Sequence, residues 1–169
     1  MKWLTWNWTD VLSQKDIKEI NKIIKKHPVK IKDKPANSIK TSKVKFVLYG
    51  HLRSCLDKCL QEIYKSNEIN FNNLNIYPYE NDRHVHCNIY NKNSQYDWHI
   101  DANDKNDDWD IKYTVLINIS EKKYTGGKFK IFVNNKPKHF KYFDEPGSMI
   151  MFRSHILHKV TPVTSGERK

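Results

Sequence analysis

Cysteine is scarce in this chain: Cys55, Cys59 and Cys87 are the only three. An odd number without a framework spacing excludes a disulfide-stapled scaffold and fits a reducing, cytoplasmic setting. Cys55 and Cys59 lie within one helical pattern, which reads as buried packing rather than a metal pair. Long apolar runs are also missing. No window approaches the length a membrane span needs. The opening Met1-Lys2-Trp3-Leu4-Thr5-Trp6-Asn7-Trp8 lacks the continuous apolar stretch of a secretory signal. There is no internal repeat and no low-complexity linker, so residues 1–169 read as one domain. Acidic residues are in deficit, 19 Asp and Glu against 30 Lys and Arg, for a net charge of +11. That excess leaves a nucleic acid or another acidic partner open. The lysines are interspersed with asparagine and isoleucine, however, as a compositional bias alone would spread them, and no clear base-stacking motif accompanies them.

What is present changes character along the chain. The tryptophans of the first eight residues read as anchors onto the domain. Ser13 is a good N-cap, with Asp16 in the first turn and Ile17, Ile20, Ile23 and Ile24 forming one apolar stripe. Lys25, Lys26 and His27 complement the helix end, and Pro28 stops it. The lysine-rich stretch 29–41, with Pro35, reads as an exposed connection. A second helix is expected over 49–66, where Leu52, Cys55, Leu56, Cys59, Leu60 and Ile63 share a face; the asparagine-rich run 67–73 is expected to break it. From residue 75 the period becomes two. Strands are expected around 75–79, 84–90, 96–101, 111–120, 128–133, 138–143, 148–153 and 157–164. Gly126-Gly127 and Pro146-Gly147 mark tight turns, and Asn134-Asn135 marks a hairpin. The expected fold is mainly β: an antiparallel barrel or jelly roll over about 75–169, buttressed by two N-terminal α-helices within about 1–74.

One constellation carries chemistry. In a strand, positions i and i+2 point to the same face, so His99 and Asp101 can reach one ion. A second imidazole, His158, lies on another expected strand. Two histidines and a carboxylate are the ligand set of the facial triad that holds non-haem Fe(II) with open positions. Imidazoles are neutral near pH 7 because their unperturbed pKa is about 6.5. The HxD pair alone is weak; HxD with a distant histidine and then an arginine is much stronger.

These residues sit in segments that carry a resemblance. Tyr96-Asp97-Trp98-His99-Ile100-Asp101, Tyr124-Thr125-Gly126-Gly127, Pro146-Gly147-Ser148-Met149-Ile150-Met151-Phe152 and Leu157-His158-Lys159-Val160-Thr161-Pro162-Val163-Thr164-Ser165-Gly166-Glu167-Arg168 follow one another in that order. Together they resemble the 2-oxoglutarate- and Fe(II)-dependent dioxygenases, in the prolyl 4-hydroxylase-like branch that includes PKHD-type hydroxylases and phage-encoded relatives. The resemblance implies a double-stranded β-helix. It implies His99, Asp101 and His158 as iron ligands, and the Leu-His-Lys-Val-Thr-Pro context selects His158 over His155. It implies Arg168 on the distal carboxylate of 2-oxoglutarate, a role suited to its planar fork. Tyr90 and Asn118 are implied in the same pocket. Fe(II), 2-oxoglutarate and O2 are the implied cofactors, with ascorbate as an accessory reductant.

The implied activity is oxidative decarboxylation of 2-oxoglutarate coupled to hydroxylation of a peptide or protein side chain, proline first. Two other readings remain: the same chemistry on a nucleic acid, and a metal-holding jelly roll without turnover. His84 and His86 read as strand or substrate-side residues, and Trp109, within 103–110, as a cover for the site. The family continues beyond its arginine into another strand, whereas this sequence ends at Lys169, so a C-terminal strand is expected to be missing. Oligomeric state is left open.

Overall fold

The computed structural model describes residues 5–29, 38–76, 78–102 and 111–169. Trp3, Pro35 and Trp109, and with them the expected cover at 103–110, lie outside the described residues. The elements run β1 (Thr5–Trp8), α1 (Gln14–Lys25), β2 (Lys43–Leu48), α2 (Tyr49–Asn70), β3 (His84–Ile89), β4 (Tyr96–His99), β5 (Tyr113–Ile117), β6 (Thr125–Gly126), β7 (Phe129–Val133), β8 (Lys136–His139), a 3-10 turn (Lys141–Asp144), β9 (Met149–Arg153), β10 (His158–Val160) and β11 (Val163–Ser165).

Local chemistry sets the helices. Ser13 and Asp16 form a reciprocal capping box: the Asp16 N–H donates to Ser13 Oγ at 3.2 Å, and the Ser13 N–H to Asp16 Oδ2 at 2.8 Å. Ile17, Ile20 and Ile24 of α1 and Leu52, Cys55, Leu56 and Cys59 of α2 then bury one shared stripe. The asparagine run does not break α2 at residue 66; the helix continues to Asn70. Asn67 is buried with its amide satisfied, Oδ1 accepting from Leu74 N–H and Nδ2 donating to Leu74 O. Asparagine disfavours helix by competing for backbone groups; here that competition is directed at the segment that follows.

Two antiparallel layers make the body of the fold, β1-β9-β5 and β4-β10-β7-β8, with the pairs β11-β6 and β2-β3 beside them. Between the layers lie Phe129, Ile131 and Val160 from one and Ile150 and Phe152 from the other. On the far side of β9, Met149 joins the helices together with Val115, Ile117 and Ile119. This is the double-stranded β-helix with a helical buttress. Strand β9 reads Met-Ile-Met-Phe because it is covered on both faces, and all four residues are buried. Each of these large side chains contributes about 1.5–3 kcal/mol by burial.

Several expected strands differ. No strand forms at 75–79 among the described residues, while 43–48, unassigned from sequence, pairs along its whole length with β3. The first residues are not only an anchor: β1 pairs in register with β9, from Thr5↔Phe152 to Trp8↔Met149. The strand expected at 138–143 ends at His139 and turns into the 3-10 segment. The one at 157–164 divides around Pro162, which has no N–H for the ladder. The hairpin holds as read: Asn134 and Asn135 both take positive φ, 51° and 58°, the type I′ geometry of a two-residue loop. No helix among the described residues is long and apolar enough to cross a membrane.

Candidate metal centre

Strand pairing brings the site together. His158 of β10 is the cross-strand partner of His99 of β4, and their rings lie 4.1 Å apart. Strand β4 ends at His99 rather than at residue 101, so Asp101 sits just beyond it. There the Asp101 N–H donates to Ser154 O at 3.0 Å. Its two carboxylate oxygens each face one imidazole: Oδ1 is 3.6 Å from His99 Nε2 and Oδ2 is 3.5 Å from His158 Nε2. Adjacent ligands around one first-row ion with bonds of about 2.1 Å are separated by roughly 3 Å. One ligand atom from each residue falls within 4.8 Å of the others, and no other such His, Cys, Asp or Glu cluster occurs among the described residues.

The imidazoles are oriented alike. His99 Nδ1 lies 2.7 Å from Asp97 O, and His158 Nδ1 lies 2.9 Å from Ile156 O. A carbonyl can only accept, so Nδ1 carries the proton in both rings and Nε2 presents its lone pair to the site. Burial reinforces this by penalising the charged form. It pushes the His99 pKa down to about 4 against the opposing pull of the Asp97 carbonyl. His158, walled by Phe152 and Phe129, is also lowered, again chiefly by burial. Tyr96 lies flat on His99, 3.4 Å between ring centroids. The Thr114 hydroxyl of β5 donates to Asp101 Oδ2 at 2.6 Å. Thr114 has no distinguishing signal in the sequence; its partner becomes visible once β5 is set beside β9.

The second group lies deeper. Arg168 and Tyr90 pair by two backbone hydrogen bonds, and the guanidinium stands 5.3 Å from the Tyr90 ring centroid and 5.5 Å from that of Phe143. Both residues are buried. Burial pushes the Tyr90 hydroxyl up to about 12. Arg168 Nε has no hydrogen-bond partner among the described residues, an arrangement that a buried guanidinium tolerates poorly unless an anion joins it. Arg168, Tyr90, Phe143, Leu116 and Val160 line a cavity of about 140 Å³. A larger, open groove of about 620 Å³ lies beside residues 64–76 and holds none of the residues named for the site.

Asn118, expected in the same pocket, is bonded within the fold. It is fully buried, its Nδ2 donating to Phe143 O and Asp144 O and its Oδ1 accepting from Ser120 N–H. It does not line the cavity; its amide ties β5 to the 3-10 turn, leaving little capacity for a co-substrate. His155 points to solvent outside the cluster. His86 is exposed on β3, 4.5 Å from the Phe46 ring. The three thiols are free and buried, with Cys59 pushed up to about 12 and Cys87 to about 11 by burial.

Two layers of antiparallel strands enclosing a two-histidine, one-carboxylate cluster define an oxygenase-type jelly roll. The 2OG-Fe(II) oxygenase superfamily matches residues 85–169, and the chain belongs to that family. A PKHD-type hydroxylase from Synechococcus sp. (strain CC9605) is 33% identical over 91 residues, which is 51% of this chain and 40% of that protein. The crystal structure of a Pseudomonas putida prolyl-4-hydroxylase superposes with a TM-score of 0.73 at 16% identity, covering 98% of this chain and 88% of that one. A Trichoplax adhaerens prolyl hydroxylase, solved with a hypoxia inducible factor peptide fragment, gives 0.69 at 17%, covering 98% and 80%. The family's cofactors are Fe(II), 2-oxoglutarate and O2. The residues present fit them: two imidazole nitrogens and a carboxylate oxygen for the metal, and a buried guanidinium with an unsatisfied Nε for a carboxylate.

Proposed function

We propose that this chain is a hydroxylase in which His99, Asp101 and His158 hold Fe(II) while Arg168 and Tyr90 hold the distal carboxylate of 2-oxoglutarate. The observation that carries the reading is the convergence of both imidazole Nε2 atoms on the two oxygens of one carboxylate. When bound, Fe(II), 2-oxoglutarate and O2 supply the oxidising chemistry: the co-substrate becomes succinate and CO2, and one oxygen atom enters a substrate C–H bond.

The chain's own residues do the positioning. Asp97 and Ile156 carbonyls fix the tautomers of His99 and His158, so no deprotonation is needed at the donor atoms. Thr114 holds Asp101 Oδ2 at 2.6 Å, biasing that carboxylate toward binding through its other oxygen. Phe129, Phe152 and Phe143 keep water from the inner wall, strengthening the charge interaction at Arg168. A peptidyl side chain, proline first, is the proposed substrate. That class is supported by the hydroxylase relative and by the peptide held by the Trichoplax neighbour.

The test is succinate release under air with Fe(II) across proline-containing peptides, with mass spectrometry for the gain of one oxygen. Arg168→Ala is expected to raise the 2-oxoglutarate requirement at least tenfold, since a charge-assisted hydrogen bond contributes about 1.5–3 kcal/mol, while leaving metal binding intact. An unchanged 2-oxoglutarate requirement would remove Arg168 from this role.

A further inference from the structure

The strands that aim His99 and His158 inward aim their alternate residues outward, and the outer face they make is unusual. Along β10, β7 and β8 the register sets Lys159 beside Lys130 and Lys130 beside His139, forming one row across three strands. The neighbouring row is apolar. Phe132 pairs with Pro137, and the Phe132 N–H donates to Leu157 O. Ile100 follows His99 as Leu157 precedes His158, and the backbones of His99 and His158 are partners. Ile100 is 45% exposed, Phe132 38% and Leu157 37%. Trp98 adds its ring to this row in a T-shaped contact, 5.8 Å between its centroid and that of Phe132. A connected apolar row on one sheet face marks an interaction site more often than a scatter of single residues does.

We infer that this outer face of β4-β10-β7-β8 docks an acidic, apolar segment of a partner protein, independently of the metal centre behind it. Charge selects the partner. On this face the register places Lys159, Lys130 and His139 in one row, while Lys138 and Lys136 pair with Ile131 and Val133 and alternate to the other side. Lys128 and His139 are engaged by Asp144, and Lys159 by Asp97 at 3.5 Å. Lys130 has no acidic partner among the described residues. A second copy of this chain would set one Lys130–Lys159 row against another. A nucleic acid would need open ring faces for stacking, yet Lys159 covers Trp98 at 4.8 Å and Phe132 meets Trp98 at 84°. Aliphatic and proline side chains beside ammonium groups suit a strand-like peptide that alternates Leu or Phe with Glu or Asp. Crossing four strands spaced about 4.8 Å apart takes about five extended residues at ~3.3 Å each.

Fluorescence anisotropy tests this with a labelled peptide of Glu-Leu-Glu-Phe repeats, the same peptide with Lys for Glu, and an oligothymidine of matched charge. The acidic peptide is expected to saturate, with Phe132→Glu and Lys130→Glu each weakening it at least tenfold and Phe132→Leu retaining it. Both positions are surface-facing and outside the metal and co-substrate machinery, so circular dichroism and succinate release should be unchanged; failure of either proposal is thus separable from the other. Absence of saturable binding, equal binding of the Lys peptide, or indifference to Phe132→Glu would overturn the site. Oligothymidine binding that is tighter and equally lost in Phe132→Glu would reassign it to nucleic acid. Self-association of the wild type that Phe132→Glu abolishes would reassign it to a second copy.

Discussion

Thr114 shows how much of the centre depends on atoms that never touch the metal. Its hydroxyl is the described side-chain donor on Asp101 Oδ2, at 2.6 Å. Removing it leaves the carboxylate free to rotate between the two imidazoles. Thr114→Val keeps the shape and β-branching, so the fold should persist, but Fe(II) affinity in an anaerobic titration should fall about tenfold, the usual lower range for loss of such an orienting partner. Thr114→Ser should restore most of it. An unaltered affinity in the valine variant would mean that the Asp101 backbone bond to Ser154 alone positions the carboxylate. The proposed ligands were legible in the sequence because His99 and Asp101 lie only two residues apart and because the segments around them and around His158 are distinctive. Thr114 was not, because its role exists only across strands. Asn118 was placed in the pocket by resemblance, whereas its buried amide is consumed by Phe143, Asp144 and Ser120.

Among the elements, α1 was read almost to the residue, since an N-cap, a first-turn carboxylate and an apolar stripe are all local signals. Its start is also where pH enters. The Lys58 ammonium, 2.6 Å away, and then the Ser13 hydroxyl hold the Asp16 carboxyl well below its ordinary range, at about 2. The folded-state value is depressed below the unfolded value of about 3.9. This stabilisation is therefore fully present above about pH 4 and is lost as the pH falls toward 2. Asp16→Ala should lower the melting temperature at pH 7 by a few degrees, in keeping with a cap and a partly screened ion pair of about 1–2 kcal/mol together. The gap from the wild type should close between pH 4 and pH 2; a gap constant to pH 2 would contradict the assignment. Strand β2 was missed for the opposite reason: the partner that pairs with Lys-Val-Lys-Phe-Val-Leu, β3, lies beyond a whole helix. The longer α2 was missed because Asn67 finds its partners in Leu74 and Tyr113 only after the chain turns back.

For the whole molecule, the two layers and the helices behind them bring His99 of β4, Asp101 just beyond it and His158 of β10 to one point. Fold class was legible because eight short alternating segments after two helices admit few architectures; the order of strands within the layers was not, because pairing is non-local. Occupancy of the centre should stabilise the entire domain by mass action, about 2.7 kcal/mol at a metal concentration 100 times Kd. Thermal unfolding should shift upward by several degrees on adding Fe(II) anaerobically, return with a chelator, and stay unmoved in His99→Ala. A shift of equal size in that variant would place the metal elsewhere. The central claim, that this cluster and Arg168 form a working oxygenase site, is met most directly by one comparison: succinate formed from 2-oxoglutarate under air with Fe(II), wild type against Asp101→Ala. The account predicts Fe(II)-dependent succinate from the wild type and none above background from the variant; equal succinate from both would contradict it.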